Sequence, residues 1–338
     1  MFRTICAILV VGIAALSAAV AEKPDLRYAD GPEVPRTGDK EFRGGVLLDD
    51  GRIVLIPRTG QYVGEYDPET NTFEHTAAHH QEGGFGMGSL VDGKVIMTPR
   101  GSRNVGIYDP EEREYRDGAA HGQDNDNAFL GSAKVNDELI VFGPLLAKVV
   151  GLYDPQTDTY WDGPEHNETD GYAFSTVTKS SVTGDVIFTP FRSRHIGIYD
   201  PETNTYTSGA EVTEAEPAYS GSVEARNGKI IMAPRNAQRI GIYDPVTDEL
   251  ELGPEHGEGS GAFMAAELLL CGRVLMAPYQ SDYVGIYDPE TNEYHRGPSV
   301  EHVRVGPGRF SGAILTKAED MVVMSNRGAD VLGLIIIE

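Results

Sequence analysis

Arginine recurs at one position of a repeated unit in a chain that is otherwise strongly acidic. The sequence holds 52 Asp and Glu against 28 Lys and Arg, which gives a formal net charge of −24. A guanidinium group is planar and donates two parallel hydrogen bonds, so it suits the recognition of carboxylate and sulfate groups. We predict a ligand-binding face in the loop after the second strand of each unit, with these residues as its contacts: Arg58, Arg100, Arg192, Arg235, Tyr279 and Arg327.

A structural role is the alternative for the same arginines. Each one could pair with a carboxylate of an adjoining loop and so hold two units together. The acids placed for such pairs are Glu82, Glu168, Glu214 and Glu258. The sequence leaves the two interpretations open, because it does not give the partners of the arginine side chains.

The elements that must position these residues are short strands, repeated with a period of about 44 residues. The signature Gly-x-Tyr-Asp-Pro begins at Gly64, Gly106, Gly151, Gly197, Gly241 and Gly285. A seventh copy at Gly333 lacks the Tyr-Asp-Pro turn, whereas residues 26–34 resemble the segment that follows this turn elsewhere. We therefore predict that an N-terminal strand completes the last unit and closes a ring.

The repeats predict an all-β fold, a seven-bladed β-propeller with four-stranded blades. In one unit we expect strands at residues 263–270, 273–278, 283–287 and 292–295. The first turn holds Asp50-Gly51, Asp92-Gly93 or Asn227-Gly228, pairs that favour type I′ hairpins. The Asp-Pro-Glu-Thr-Asn turn between the third and fourth strands combines residues typical of a structural hairpin, so we assign it no calcium.

The first strand of each blade is expected to line a central channel. Each begins with an aromatic residue, which we expect to pack between blades because it recurs in all seven. In this set only Arg43 and Glu267 carry a charge. Since an enzyme of this architecture needs a base and usually a metal near the axis, the channel argues against a catalytic site there.

Four histidines and one cysteine are the remaining candidates for chemistry. The histidines follow the fourth, outermost strand of their blades, too far apart for a metal, whose ligands all lie within about 2 Å of it. We expect them to form structural hydrogen bonds between blades. Cys271 stands beside Gly272 in a turn without a histidine to activate it. We predict no catalytic residue, metal or cofactor; the histidines are His79, His121, His166 and His256.

Residues 1–21 have the layout of a cleavable secretory signal, with an apolar run from Ile5 to Ala15 and then Ala19-Val20-Ala21. The apolar run is too short to span a bilayer. We predict a single propeller domain over residues 22–338 in a secreted, extracellular or periplasmic protein without membrane insertion. The acidic surface repels phosphate groups, which argues against nucleic acid as a partner.

The run Ile242-Tyr243-Asp244-Pro245-Val246-Thr247-Asp248, followed by a strand, a Gly-Pro-Glu turn and an apolar strand, resembles the repeats of kelch-type β-propellers. The chain departs from that pattern where the second strand ends, since Pro57-Arg58 or Pro99-Arg100 stands in place of Gly-Gly. Phe or Tyr also replaces the Trp of the fourth strand. The resemblance implies an architecture and not a partner.

These observations favour a non-catalytic module that binds a ligand or a protein on the arginine face. Acidic saccharides and carboxylate-bearing partners suit such a face. The alternative is a propeller lyase or lactonase with its site at the central channel, because the Asp-Pro-x-Thr hairpins resemble those of virginiamycin B lyase.

Overall fold

A computed structural model of the protein describes residues 23–81, 83–123, 126–168, 171–304 and 306–338. Within these ranges all regular structure is β-strand, arranged as seven sheets of four antiparallel strands. The first strand of each sheet contacts the first strands of both neighbouring sheets, so the sheets form a closed ring of blades. The predicted all-β, seven-bladed β-propeller with four-stranded blades is confirmed. The predicted signal segment 1–21 lies outside the described residues.

The strands of blades 1 to 6 follow one another in sequence from the channel outwards. After β1 (Leu26–Glu33), blade 1 holds β2 (Phe42–Leu47), β3 (Ile53–Pro57), β4 (Tyr62–Asp67) and β5 (Thr72–Ala78). Blade 2 holds β6 (Phe85–Val91), β7 (Lys94–Pro99), β8 (Asn104–Asp109) and β9 (Glu114–Ala120), and blade 3 holds β10 (Phe129–Asn136), β11 (Leu139–Pro144), β12 (Val149–Asp154) and β13 (Thr159–Glu165). Blade 4 holds β14 (Phe174–Lys179), β15 (Val186–Pro190), β16 (His195–Asp200) and β17 (Thr205–Glu211).

The remaining blades repeat this order and then close the ring. Blade 5 holds β18 (Tyr219–Glu224), β19 (Ile230–Pro234), β20 (Arg239–Asp244) and β21 (Glu249–Glu255), and blade 6 holds β22 (Phe263–Leu268), β23 (Val274–Pro278), β24 (Tyr283–Asp288) and β25 (Glu293–Ser299). Blade 7 consists of β26 (Ile314–Leu315), β27 (Met321–Met324), β28 (Val331–Ile337) and the N-terminal β1. Strand β1 pairs antiparallel with β28, Leu26 opposite Ile337, which confirms the predicted closure.

The glycine of the Gly-x-Tyr-Asp-Pro signature packs directly against an aromatic ring, which leaves no room for a side chain. A Cβ on Gly106 would come within 2.8 Å of two ring atoms of Phe85, the residue that begins the first strand of the same blade. Phe85 is fully buried and also contacts His79 of the preceding blade, with ring centroids 5.4 Å apart. The predicted packing of the leading aromatics between blades is confirmed.

The Asp-Pro-x-Thr-Asn turn is a self-contained structural hairpin. The Asp67 carboxylate accepts the backbone N–H of Glu69 at 2.9 Å. Asn71 has φ 52°, the left-handed conformation that Asn tolerates, and its side chain accepts the hydroxyl of the buried Tyr66 at 3.0 Å. The tyrosine of the signature therefore anchors the turn that follows it.

Two details of the predicted blade were wrong. Only Asp92-Gly93 has positive φ at both residues, as a type I′ turn requires. At Asp50-Gly51 only the glycine has positive φ, because the loop is one residue longer and Gly51 N–H donates to the Leu48 carbonyl. The Gly-Pro-Glu segment is also not a turn: in blade 3 it ends β13, where a β-bulge keeps Glu165 opposite Val149.

Candidate functional site

The backbone fixes one residue of each strand 2–3 loop between two blades. In blade 6 the N–H of Tyr279 donates to the Ala262 carbonyl of its own blade at 2.8 Å, and its carbonyl accepts the N–H of Arg309 from blade 7 at 2.8 Å. Arg235 in blade 5 is held likewise, since its N–H donates to Ala218 and its carbonyl accepts from Ala262. Such a position belongs to the frame of the ring, so its side chain starts from a fixed point near the channel mouth.

Three of the predicted arginines lie near Arg43, a residue that the sequence places in the channel lining. Arg43 is the second residue of β2, and its guanidinium is close enough to Arg327, Arg100 and Arg235 to be repelled by their charges. Burial first, and then these three positive charges, hold the pKa of Arg43 well below its usual range. The backbone of Arg58 is joined to that of Arg327 through Glu41, whose carbonyl accepts the Arg58 N–H and whose N–H donates to the Arg327 carbonyl. We call the following set the arginine cluster: Arg43, Arg58, Arg100, Arg235 and Arg327, together with Tyr279.

Three members of the arginine cluster are almost completely buried without a full set of partners. The exposed fractions of Arg43, Arg58 and Arg327 are 6%, 8% and 5%. Nε of Arg43, Nε and Nη1 of Arg58 and Nη1 of Arg327 are enclosed, yet none finds a hydrogen-bond acceptor in the described structure. Since buried N–H groups in folded proteins nearly always have a partner, these four donors have room for hydrogen bonds to water or to a ligand.

Without a bound anion, the charged forms of the cluster arginines are disfavoured. Burial lowers the pKa of Arg327 to about 10 and lowers the pKa values of Arg100 and Arg235 as well. Lys40 lies at its edge, where burial and the charges of Arg327 and Arg100 lower its pKa. No carboxylate lies within ion-pair distance of an arginine of the cluster in the part of the chain that is described. A bound anion would reverse the sign of these interactions.

Two tyrosines are stacked with arginines at the channel mouth. The Tyr279 ring lies between two guanidiniums, with its centroid 3.5 Å from Cζ of Arg235 and 5.2 Å from Cζ of Arg327. Gly308 has φ +116°, and a Cβ there would come within 2.0 Å of the Tyr279 ring, so this stacking requires glycine. The second ring, Tyr172, is 5.9 Å from Cζ of Arg192.

Arg192 therefore differs from the other predicted site residues. Its side chain is exposed, whereas the arginines of the cluster are buried or half-buried. Its one-residue displacement in sequence places it beyond Tyr172, whose other neighbour is Arg100. The sequence did not indicate that Arg43 and Lys40 belong to the site. The signal was present, since Arg43 occupies a strand position that is otherwise small or apolar.

The acids proposed as structural partners of the arginines bond other groups. Glu168 accepts hydrogen bonds from Ser193 at 2.7 Å and Ser208 at 2.6 Å. Glu258 pairs with Arg296 at 2.7 Å, and Glu214 accepts the N–H of Gln238 at 2.7 Å. Glu82, the fourth acid, lies outside the described residues. The contacts of the three described acids do not support the structural alternative.

Arg309 is an example of a buried arginine with a structural role in this fold. It is only 2% exposed, and its guanidinium donates to the carbonyls of Val303, Gln280 and Ser281 and to the Asp282 carboxylate. It ties blade 7 to the loop of blade 6. Arg327 is almost as deeply buried, but it donates one hydrogen bond, to the Pro307 carbonyl, and its Nη1 has no acceptor in the described structure.

The four equivalent histidines are structural, although not in the predicted way. Each Nε2 lies 2.8–2.9 Å from a backbone carbonyl oxygen of its own blade, so the predicted hydrogen bonds between blades are wrong. Contact with the next blade is made instead by the ring edge, as in the pair His121 and Phe129, with centroids 5.6 Å apart. Burial lowers the pKa values of His79, His121 and His166, which favours neutral rings.

The channel beneath the cluster carries one further ionisable group in its lining. Glu267 lies half-buried on β22, and burial raises the pKa of its carboxyl to about 8. The half-buried Cys271 is a turn residue, as predicted, and its Sγ lies 3.4 Å from Nε of Arg273. Among residues with a described placement, no group of three or more His, Cys, Asp or Glu side chains could hold a metal ion.

No family model matches the chain, and no curated protein matches it. Virginiamycin B lyase from Staphylococcus aureus is similar in structure over 93% of this chain and 99% of its own, at 12% identity and a TM-score of 0.75. A streptogramin B lyase is similar over 93% of this chain and 98% of its own, at 12% identity and a TM-score of 0.78. At such identities the likeness shows the β-propeller fold alone.

Extracellular domains share the fold as well. That of a putative one-component system from B. thetaiotaomicron is similar over 91% of this chain but 40% of its own, at 9% identity and a TM-score of 0.68. Within the described ranges there is no helix of sufficient length and apolarity to cross a membrane. The kelch-like identity of the repeats stays a prediction.

Proposed function

We propose that this protein is a non-catalytic binding module that holds a small anionic ligand in the arginine cluster at the mouth of the propeller channel. The ligand group is a carboxylate or a sulfate, as an acidic saccharide or another carboxylate-bearing molecule would present. Arg43, Arg58 and Arg327 donate to it, and Arg100 and Arg235 complete the positive rim.

The observation that carries the proposal is the set of enclosed guanidinium N–H groups without acceptors in Arg43, Arg58 and Arg327. An unpaired buried charge is strongly unfavourable, so a fold retains it only if something else benefits. A carboxylate accepts two parallel hydrogen bonds from a guanidinium and neutralises it at the same time. The satisfied Arg309 argues that the fold can bond a buried arginine fully where structure alone requires one.

We place the binding outside the cytoplasm, in a secreted, extracellular or periplasmic protein. The predicted signal at residues 1–21 supports this location, as does the likeness to extracellular domains of sensor proteins. The formal charge of −24 is spread over the whole chain, so the cluster is a positive site on a protein that otherwise repels anions.

The lyase alternative has less support from the residues of this chain. One solved lyase structure is of a catalytically inactive His-to-Ala variant with quinupristin. All nine histidines of the present chain are described, and the residues that line its channel include none of them. Glu267 is the single acid in that lining, and its raised pKa favours a protonated carboxyl below pH 8.

Calorimetric titration of the protein with sulfate, acetate and galacturonate tests the proposal, with galactose as the neutral control. We expect saturable binding of the anions and none of galactose. A ligand at a hundredfold excess over its dissociation constant should also raise the stability by about 2.7 kcal/mol. Arg43→Met should abolish binding, whereas Arg116→Gln, a change at a half-exposed arginine paired with Asp158, should not. Anion binding that survives Arg43→Met and Arg327→Met together would overturn the proposal.

A further inference from the structure

The channel below the arginine cluster is a cavity of about 330 Å³, at the lower end of the range for small-molecule sites. It begins at Arg43 and Met264 near the mouth and reaches Glu267 and Leu315 on the far side. Between them the lining consists of small and apolar residues from the first strands, among them Gly44, Met87, Ala265, Ala266 and Ala313.

This cavity is continuous with the arginine cluster. Arg43 belongs to both, since its guanidinium lies among the cluster charges while its side chain lines the channel. Met264 forms a second connection, because its sulfur accepts a hydrogen bond from Arg235 at 3.6 Å and it also lines the channel. A ligand group held by the cluster therefore stands directly above the cavity.

The first strands of neighbouring blades are packed closely around the channel. The first strands approach so closely that a Cβ on Gly312 would come within 2.5 Å of Cα of Gly44. On the other side of the ring, a Cβ on Gly221 would come within 2.6 Å of Cα of Ala265. These contacts join the first strands of neighbouring blades, which form the wall of a cavity of about 330 Å³.

The hydroxyl side chains of the lining make their hydrogen bonds within the protein. Thr176 donates to the Ser220 carbonyl, Ser222 is bonded to Thr178 and Thr189, and Ser311 donates to the Phe42 carbonyl at 2.7 Å. They have no need of a polar ligand group. Apolar lining with satisfied polar atoms favours an apolar occupant.

Glu267 is the ionisable residue at the far end of the cavity. Desolvation keeps its carboxyl protonated at neutral pH, so it places no charge beside an apolar chain. A second anionic group on the ligand would have to leave water beside this acid in a cavity that offers it no cation. The far end therefore selects against a dianion.

We propose that the channel and the arginine cluster form one site for an amphiphilic monoanion, a carboxylate or sulfate head carrying an apolar chain that enters the channel. This inference rests on the proposed anion site and specifies its ligand class. The head lies on the arginines at the mouth, and the chain runs along the first strands towards Glu267.

Calorimetry with acetate, butyrate, hexanoate and octanoate, each below its micelle-forming concentration, tests the inference, with the dicarboxylate suberate as the matched dianion. We expect the affinity to rise about threefold to fourfold per buried methylene and to level off once the channel is filled. Suberate should bind more weakly than octanoate, which has the same number of carbon atoms.

Two variants that narrow the channel, Ala266→Leu and Ala313→Leu, lie in different blades, so one serves as a check if the other fails to fold. Either should abolish the dependence on chain length and leave acetate binding unchanged. If all four carboxylates bind equally well to the unaltered protein, or suberate binds as tightly as octanoate, this inference is wrong and the anion site stands. If none of them binds and sulfate does not either, the proposed function itself is wrong.

Discussion

Replacing Arg327 by methionine should make the ligand-free protein more stable, although it removes a buried side chain. Arg327 is 5% exposed, bonds one carbonyl through Nε and leaves Nη1 enclosed without an acceptor. Methionine keeps an unbranched stem of similar length and needs no partner. Substituting buried charged groups by apolar ones of similar volume is often neutral or stabilising.

The magnitude follows from the surroundings of the guanidinium. Burial lowers the pKa of Arg327 from 12.5 to about 10, which at about 1.4 kcal/mol per unit disfavours the charged form by about 3 kcal/mol at neutral pH. The hydrogen bond to Pro307 and the stacking on Tyr279 return about 2 kcal/mol of this. The net gain for Arg327→Met is therefore about 1 kcal/mol, or a rise in melting temperature of about 1.5 °C for a chain of this length.

Arg309→Met is the matched control, because Arg309 is 2% exposed and fully bonded. Its removal leaves the Asp282 carboxylate and three carbonyls without their donor, so we expect a loss of about 3–5 kcal/mol. Differential scanning calorimetry of both variants, with and without sulfate, measures the two signs. Added sulfate should raise the melting temperature of the unaltered protein more than that of Arg327→Met.

The reasoning fails if Arg327→Met melts as early as Arg309→Met. The arginines of the cluster would then be structural ties, as the second interpretation of the sequence had it. A gain in stability with unchanged sulfate binding would instead mean that Arg327 is strained but does not bind the anion.

Three further outcomes are expected. Burial raises the pKa of Glu267 from 4.5 to about 8, so the folded state holds this proton more tightly than the unfolded chain, and the free energy of unfolding should fall by about 1–3 kcal/mol from pH 5 to pH 8. Urea unfolding of Glu267→Gln should not show this fall, and an equal fall in the variant and the unaltered protein would contradict the prediction. Gly106→Ala should lower stability by about 1–3 kcal/mol by overpacking against Phe85, and an unchanged thermal melt would show that the ring moves aside. Deleting residues 23–33 exposes the edge of β28, so light scattering should detect association and the melt should fall sharply; an unchanged monomer would mean that ring closure contributes little.

The fold could be predicted because the repeats agree with one another on its essential contacts. The glycine of each signature, the leading aromatic that packs on it and the tyrosine that anchors the next turn recur from blade to blade. The turn between the first two strands was harder, since Asp-Gly occurs both in the two-residue loop at Asp92 and in the longer loop at Asp50. A dipeptide favours a turn, but the register of the flanking strands decides its length.

The candidate site could be predicted only in part. The ring of residues after the second strand was visible, because the loops align and arginine recurs there. Whether those side chains have partners was not, since Glu168 and Glu258 lie near in sequence order but are bonded by serines and by Arg296. Pairing is a property of distances between blades, which a one-dimensional repeat does not contain.

Arg43 and Arg309 are two arginines near the channel mouth that depart from the repeat pattern. Each occupies a position that is small or apolar in most other blades: residue 43 corresponds to Gly86 and Ser175, and residue 309 to Ala128 and Ala262. What the blades share must serve the ring, because every blade packs in the same way. A residue that a single blade alters can serve its own neighbour, as the bonded Arg309 does, or a ligand, as we propose for Arg43. In a β-propeller the departures from the repeat, once checked for partners, are therefore the place to look for a site.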